Sequence, residues 1–120
     1  MKKTVLIIED DVDIQTYYEV VLSNLEITLL KAGNGKEAFT IIDSGVNPDL
    51  IILDIIMPVM NGEEFLYELR KVRKLNIPVI LSSVDEVSAK EITSKYKVKY
   101  VYYKLGSLDD LLCMIKKILF

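Results

Sequence analysis

The 120-residue sequence contains no histidine. That absence removes imidazole metal sites, Ser-His and Cys-His catalysis, and phosphohistidine chemistry on this chain. Cysteine occurs once, as Cys113, which excludes an intramolecular disulfide and fits a reducing compartment. Neither sign of charge dominates. Fifteen basic and 18 acidic side chains give a formal charge of −3, so no global field points to nucleic acid or to an anionic membrane. Long hydrophobic runs are missing as well: Val5–Ile8 and Leu50–Leu53 are strand-sized and far short of a membrane span. Lys2 and Lys3 precede the first run, but Glu9 interrupts it without a small-residue cleavage site. The expectation is a chain without a signal peptide, located in the cytoplasm.

What is present belongs to a soluble globular protein, 51% hydrophobic and 28% charged, long enough for one domain over residues 1–120. Apolar runs and helical patterns alternate five times. Thr4–Ile8 is β-rich and continuously apolar after Thr4, the mark of a strand covered on both faces. Ile14, Tyr17, Tyr18, Val21, Leu22 and Leu25 recur at helical steps and predict a helix over 13–25. Ile27–Leu30 reads as a strand, Ala38, Ile41 and Ile42 as a helix ending near Ser44-Gly45, and Asp49–Asp54 as a third strand. A loop from Ile55 to Asn61 leads to a helix carrying Phe65, Leu66, Leu69, Val72 and Leu75. Pro78–Leu81, Val87–Tyr96 and Val98–Tyr103 read as strand, helix and strand, and Leu108, Leu111, Leu112, Ile115, Ile118 and Leu119 stripe a last helix. Cys113 lies among those apolar residues and is expected to fill a core or an interface. Strict β-α alternation predicts a parallel sheet with helices on both faces, and in such sheets ligands sit beyond the carboxyl ends of the strands.

Four of the five strands deliver chemistry to that edge: Glu9-Asp10-Asp11 after the first, Asp54 after the third, Ser82-Ser83 after the fourth and Lys104 after the fifth. Gathered carboxylates repel one another and should recruit a cation. Oxygen donors without histidine or cysteine suit Mg²⁺. A carboxylate beside a metal, an ammonium and a hydroxyl can accept a phosphoryl group, because those partners neutralise or hydrogen-bond its oxygens. Each residue alone has an ordinary use. Asp10, Asp11 or Asp13 can cap the first helix, Asp11 and Asp13 foremost, Asp54 can turn the chain, Ser83 can be a loop serine and Lys104 a solvated charge. Only their joint placement on one edge is informative.

Ile7-Ile8-Glu9-Asp10-Asp11, Asp49–Pro58 followed by Asn61-Gly62, Pro78–Ser83 and Tyr103-Lys104 together resemble the receiver domain of two-component response regulators, from the first strand to the last helix. The D-x-x-M-P run followed by N-G is the most specific piece. The resemblance implies a single flavodoxin-like (βα)5 doubly wound α/β domain with sheet order 2-1-3-4-5. It implies that Asp54 accepts a phosphoryl group from a histidine kinase or phosphotransfer protein. Glu9 and Asp10 match the acidic pair, and with Asp54 and the backbone carbonyl of Ile56 they would hold Mg²⁺. Ser83 matches the switch hydroxyl, with Ser82 its rival by a one-residue slip, and Lys104 matches the lysine that contacts a phosphoryl oxygen. Such a domain is not a turnover enzyme; it catalyses only its own phosphorylation and dephosphorylation. The lysine-rich fourth helix and fifth strand, with the last helix, would form the face that meets a downstream protein or output domain, without direct nucleic-acid or membrane binding, and phosphorylation can pair two copies. Ending in that helix, the chain is expected to be a stand-alone receiver or part of a longer regulator.

Three positions depart from the family pattern. Leu105 follows Lys104 where proline is usual, and because a cis bond to leucine costs about 3 kcal/mol or more, a trans bond is expected. Val101 stands where an aromatic switch residue is common, and Tyr100 and Tyr102 should face the opposite side of the strand. Val84 replaces a small residue after the switch hydroxyl. These departures sustain one rival, a receiver-like interaction module that signals without phosphorylation. An aspartate-nucleophile phosphatase lacks its second aspartate, since Ile56 occupies that place, and a nucleotide-binding domain lacks a glycine-rich loop after the first strand. A β-branched Val84 at the pocket mouth and an apolar Ile56 that cannot position water predict a long-lived phosphoryl group. Val84→Ala and Ile56→Asn are each expected to speed its loss, followed by intact mass over time; equal or slower loss in both counts against this reading.

Overall fold

The computed structural model describes residues 2–55, 57, 59–84, 86–103 and 106–120, with Glu86 described by its backbone. Along the chain run β1 (Lys3–Ile8), α1 (Val12–Leu22), β2 (Ile27–Ala32), α2 (Gly35–Asp43) and β3 (Leu50–Asp54). Then follow α3 (Gly62–Tyr67), continued by a π-helical turn (Glu68–Val72), β4 (Val79–Ser83), α4 (Glu86–Tyr96), β5 (Tyr100–Tyr103) and α5 (Leu108–Leu119). The strands form one parallel sheet in the order β2-β1-β3-β4-β5. This is the expected doubly wound arrangement.

Strand alternation explains the two cores. Leu6, Ile8, Ile51, Leu53, Val79 and Leu81 point to one face, where Ala38, Phe39, Phe65, Leu66, Ala89 and Ile92 of α2, α3 and α4 and Leu69 of the π turn cover them. Val5, Ile7, Leu50, Ile52, Ile80 and Tyr102 point to the other and meet Tyr18 and Leu22 of α1 and Leu111, Ile115 and Leu119 of α5. Strands buried on both faces must be continuously apolar, which is how β1, β3 and β4 read. On β5, Val101 packs with the first core and Tyr102 with the second, as alternation requires.

Helix starts follow side-chain caps. Asp11 Oδ1 accepts from the backbone N–H of Asp13 (2.8 Å) and Ile14 (3.3 Å), so the cap of α1 is Asp11. Asn34 accepts from Glu37 N–H at 2.9 Å and Ser107 from Asp109 N–H at 3.1 Å.

Several boundaries differ from the periodicity, for local reasons. Helix α1 ends at Leu22, not Leu25, because Ser23 Oγ donates to the Val20 carbonyl at 2.7 Å and the chain turns. Strand β5 begins at Tyr100 rather than Val98, because the Val98 N–H donates to Thr93 of α4 after Lys97 takes φ +56°. The π turn is signalled by Arg73 N–H donating to Glu68 five residues back. It admits an extra residue, so Val72, assigned to the buried stripe by strict helical spacing, is rotated outward and 55% exposed. Cys113, expected to fill a core or interface, is exposed: it lies two residues from both Leu111 and Ile115, about 200° around α5 from the buried stripe.

Phe65 is fully buried and stacks on Phe39 with ring centroids 4.7 Å apart, while the Arg73 guanidinium covers the Phe39 ring at 4.2 Å. Phe65→Ala is expected to lower stability by about 3–5 kcal/mol, read from the denaturant midpoint, since α3 cannot collapse into the space of a ring without leaving β3.

Candidate functional site

Glu9 stands one residue beyond β1 and Asp54 ends β3. Because Ile8 pairs with Leu53, the sheet register brings the two carboxylates side by side. Glu9 is 2% and Asp54 6% exposed, and exposed Asp10 adds a third group. One carboxylate oxygen from each of the three lies within 4.8 Å of the others. Such closeness of two buried acids and a third is unfavourable unless cationic charge offsets it. The donors are hard oxygens, and Asp10 opens to solvent, which fits an ion that keeps bound waters, as Mg²⁺ does.

Local bonds hold Glu9 in place. Its backbone N–H donates to Ala32 at 3.0 Å, its backbone carbonyl accepts from Gln15 Nε2 at 2.6 Å, and its Oε2 accepts from Asp11 N–H at 3.2 Å. Gln15 was not foreseen as a site residue; a glutamine four positions past a helix cap carries no sequence signal.

The segment after Asp54 is shaped by Asn61 and Gly62. Asn61 Oδ1 accepts from Glu64 N–H (2.9 Å) while Glu64 Oε1 accepts from Asn61 N–H (3.1 Å), a capping box that starts α3. Gly62 donates its N–H to the Ile55 carbonyl at 2.7 Å, and a Cβ on it would lie 2.7 Å from the Asp54 carbonyl oxygen. Only glycine permits that approach, so the N-G pair presses the start of α3 against the backbone of Asp54. The capping box was readable in advance from Asn61 and Glu64 three residues on. Exposed Val59 in this segment has φ +70°, a left-handed conformation strained for a β-branched residue.

At the end of β4 both serines are buried. Ser82 is the register partner of Asp54, and the Tyr18 hydroxyl reaches its Oγ at 3.4 Å. Ser83 falls on the other side of the strand, and exposed Val84 follows it. On β5, Val101 is half-buried, and the Tyr102 hydroxyl points away from it toward the Gly106 carbonyl at 3.5 Å. Burial pushes the Tyr102 phenol up from its ordinary pKa. The positions expected to supply the metal carbonyl and the phosphoryl-contacting ammonium, Ile56 and Lys104, lie outside the described residues, as does Leu105 with its expected trans bond.

A carboxylate cluster at the carboxyl edge of a 2-1-3-4-5 parallel sheet lies where doubly wound α/β domains bind their ligands. The chain belongs to the response regulator receiver domain family, whose model matches residues 5–116. It is 35% identical over 80 residues to a probable transcriptional regulator ycf27 of Cyanophora paradoxa, a match covering 67% of this chain and 32% of that protein. The match thus spans about a third of that curated relative's length. The receiver domain of the Francisella response regulator 1452 superposes with a TM-score of 0.86 at 30% identity, covering 98% of this chain and 96% of that one. The Vibrio cholerae chemotaxis protein CheY4 shares the fold, with a TM-score of 0.87 at 22% identity over 99% of this chain and 100% of that one. Receiver domains are signalling domains of two-component systems, with phosphorylation-dependent switching as their general function. Among the described residues no helix is long and apolar enough to cross a membrane.

Mg²⁺ is expected to raise the thermal unfolding midpoint of the native chain, because an ion that binds only the folded cluster stabilises it by mass action. Asp10→Asn should remove most of that rise; an unchanged rise in the variant would place the ion elsewhere.

Proposed function

We propose that the chain, as one receiver unit over residues 1–120, is a cytoplasmic phosphorylation switch in which Asp54 accepts a phosphoryl group from a histidine kinase or phosphotransfer protein. The convergence of Glu9, Asp10 and Asp54 carboxylates within 4.8 Å at the strand ends carries this reading. A carboxylate oxygen of Asp54 attacks the phosphorus of a donor phosphohistidine. The P–N bond breaks, its electrons leave with the imidazole, and an acyl phosphate forms on Asp54. Glu9, Asp10, Asp54 and the Ile56 carbonyl would hold Mg²⁺, which would supply positive charge against the transferring oxygens. Lys104 contacts one phosphoryl oxygen, and the Ser83 hydroxyl hydrogen-bonds another. Engagement of Ser82 by Tyr18 supports Ser83 for that role.

The modified site biases a pre-existing equilibrium of the α4-β5-α5 face, which meets a downstream protein or output domain or a second copy of the chain. Close packing of Gly62 on the Asp54 backbone supports transmission through α3, and Glu63 of α3 accepts from the Tyr96 hydroxyl of α4 at 3.1 Å. The second reading, an interaction module that works without phosphorylation, draws on half-buried Val101 where an aromatic residue would couple to the site.

Intact mass after incubation with Mg²⁺ and a small phosphodonor separates the two. One added phosphoryl group is expected, absent in Asp54→Asn and in the presence of a chelator. A failure with small donors is to be repeated with candidate kinases; no adduct from either source favours the binding-only module.

A further inference from the structure

At the amino ends of β4 and β5, opposite the carboxylate cluster, lies a cleft of about 360 Å³. Its lining includes four cations, Arg70, Lys97, Lys99 and Lys117, with half-buried Tyr100 beside them, and no carboxylate. They come from four places in the fold: the π turn, the end of α4, the approach to β5 and the last turn of α5. Elsewhere Lys31 pairs with Glu19, Arg73 with Asp43 and Glu68, and Lys95 with Glu63. Among the described residues the four cleft cations make no ion pair.

Two details set this cluster apart from an ordinary lysine-rich surface. Arg70 is half-buried; its Nε donates to the Tyr96 carbonyl (3.0 Å) and its Nη1 to the Leu75 carbonyl (2.8 Å). Backbone oxygens therefore aim the guanidinium without neutralising it, and burial lowers its pKa from the ordinary value. Lys97 holds φ +56°, a helix-ending conformation that glycine or asparagine adopts with less strain. Helix dipoles explain cations such as Lys117 in a last turn. They also favour Arg70 in the last turn of the π segment, but they do not explain Lys99, which precedes β5, or the turning of the Arg70 guanidinium onto two backbone carbonyls.

We propose that this cleft binds a small polyanion carrying two or more phosphate groups. Its volume is at the lower end of the range of small-molecule sites, and several cations from separate elements match a compact, multiply charged ligand. Tyr100 supplies apolar surface for a carbon skeleton attached to the phosphates. The site lies at the other end of the sheet from Asp54 and does not depend on phosphorylation there.

The test is a titration of the full 120-residue chain with inorganic tripolyphosphate in Mg²⁺-free buffer, followed by calorimetry and backbone amide shifts. Saturable binding is expected, with shifts confined to the neighbourhoods of Arg70, Lys97–Tyr100 and Lys117. Lys99→Glu combined with Lys117→Glu should weaken it by roughly tenfold or more, while Lys36→Glu on exposed α2 leaves it unchanged. Lys97→Gly should raise the unfolding midpoint yet weaken binding, a pairing that a purely helix-ending role for Lys97 does not produce. A nucleoside triphosphate binding more tightly than tripolyphosphate would assign the source of the phosphates to a nucleotide; equal binding would assign it to polyphosphate itself. Absence of saturation, equal loss in Lys36→Glu, or equally tight binding of a glutamate-rich peptide of the same charge would overturn the proposal.

Discussion

Ile8 pairs with Leu53 in the β1–β3 ladder, and the next step along both strands brings Glu9 beside Asp54. Two nearly buried carboxylates are thereby held together by backbone hydrogen bonds that are indifferent to their repulsion. The cost is met by the surrounding sheet, whose central strands are apolar on both faces. A slip of β1 by one residue would part the two acids and turn that strand's apolar residues to the wrong layer, so the hydrophobic core and the site specify one register between them.

From that pair the structure extends in one direction through close contacts. Gly62 packs on the backbone of Asp54, Asn61 and Glu64 fasten the start of α3, and Glu63 accepts from the Tyr96 hydroxyl and pairs with Lys95 on α4. Arg70, carried by the π turn, then donates to the carbonyl of the same Tyr96. The last turn of α4 is therefore tied through Lys95 and Tyr96 both to the start of α3 and to the π turn that continues it. Val101 packs into the core beside α4 without a polar group of its own, and these ties are polar links from α3 and the π turn to α4.

The alternation of apolar runs and amphipathic stripes was enough to read all five βα units, because burial on both sheet faces leaves a strand no choice but continuous apolarity. Glu9, Asp10 and Asp54 were legible as a group because parallel topology sends every strand's carboxyl end to the same edge. Asp11 and Asn61 were legible as a cap and part of a motif. Gln15 and Tyr18 were not: their contacts with the Glu9 carbonyl and Ser82 join residues whose spacing in the chain has no characteristic pattern. Val72 was misjudged as buried because a π turn breaks the period on which the reading relied, and Cys113, expected in a core or an interface, lies outside the core because apolar neighbours in sequence are not neighbours around a helix.

Local chemistry alone therefore settled the order of elements and the acidic residues at the strand ends, and narrowed the cap of α1 to a few aspartates, since these depend on side-chain polarity and on contacts within a few residues. Tertiary structure decided which of two adjacent serines meets Tyr18, where α3 changes its winding, and which cations without an ion pair among the described residues line a single cleft. Those outcomes depend on distances between segments far apart in the chain, and such distances exist only once the sheet has brought them together.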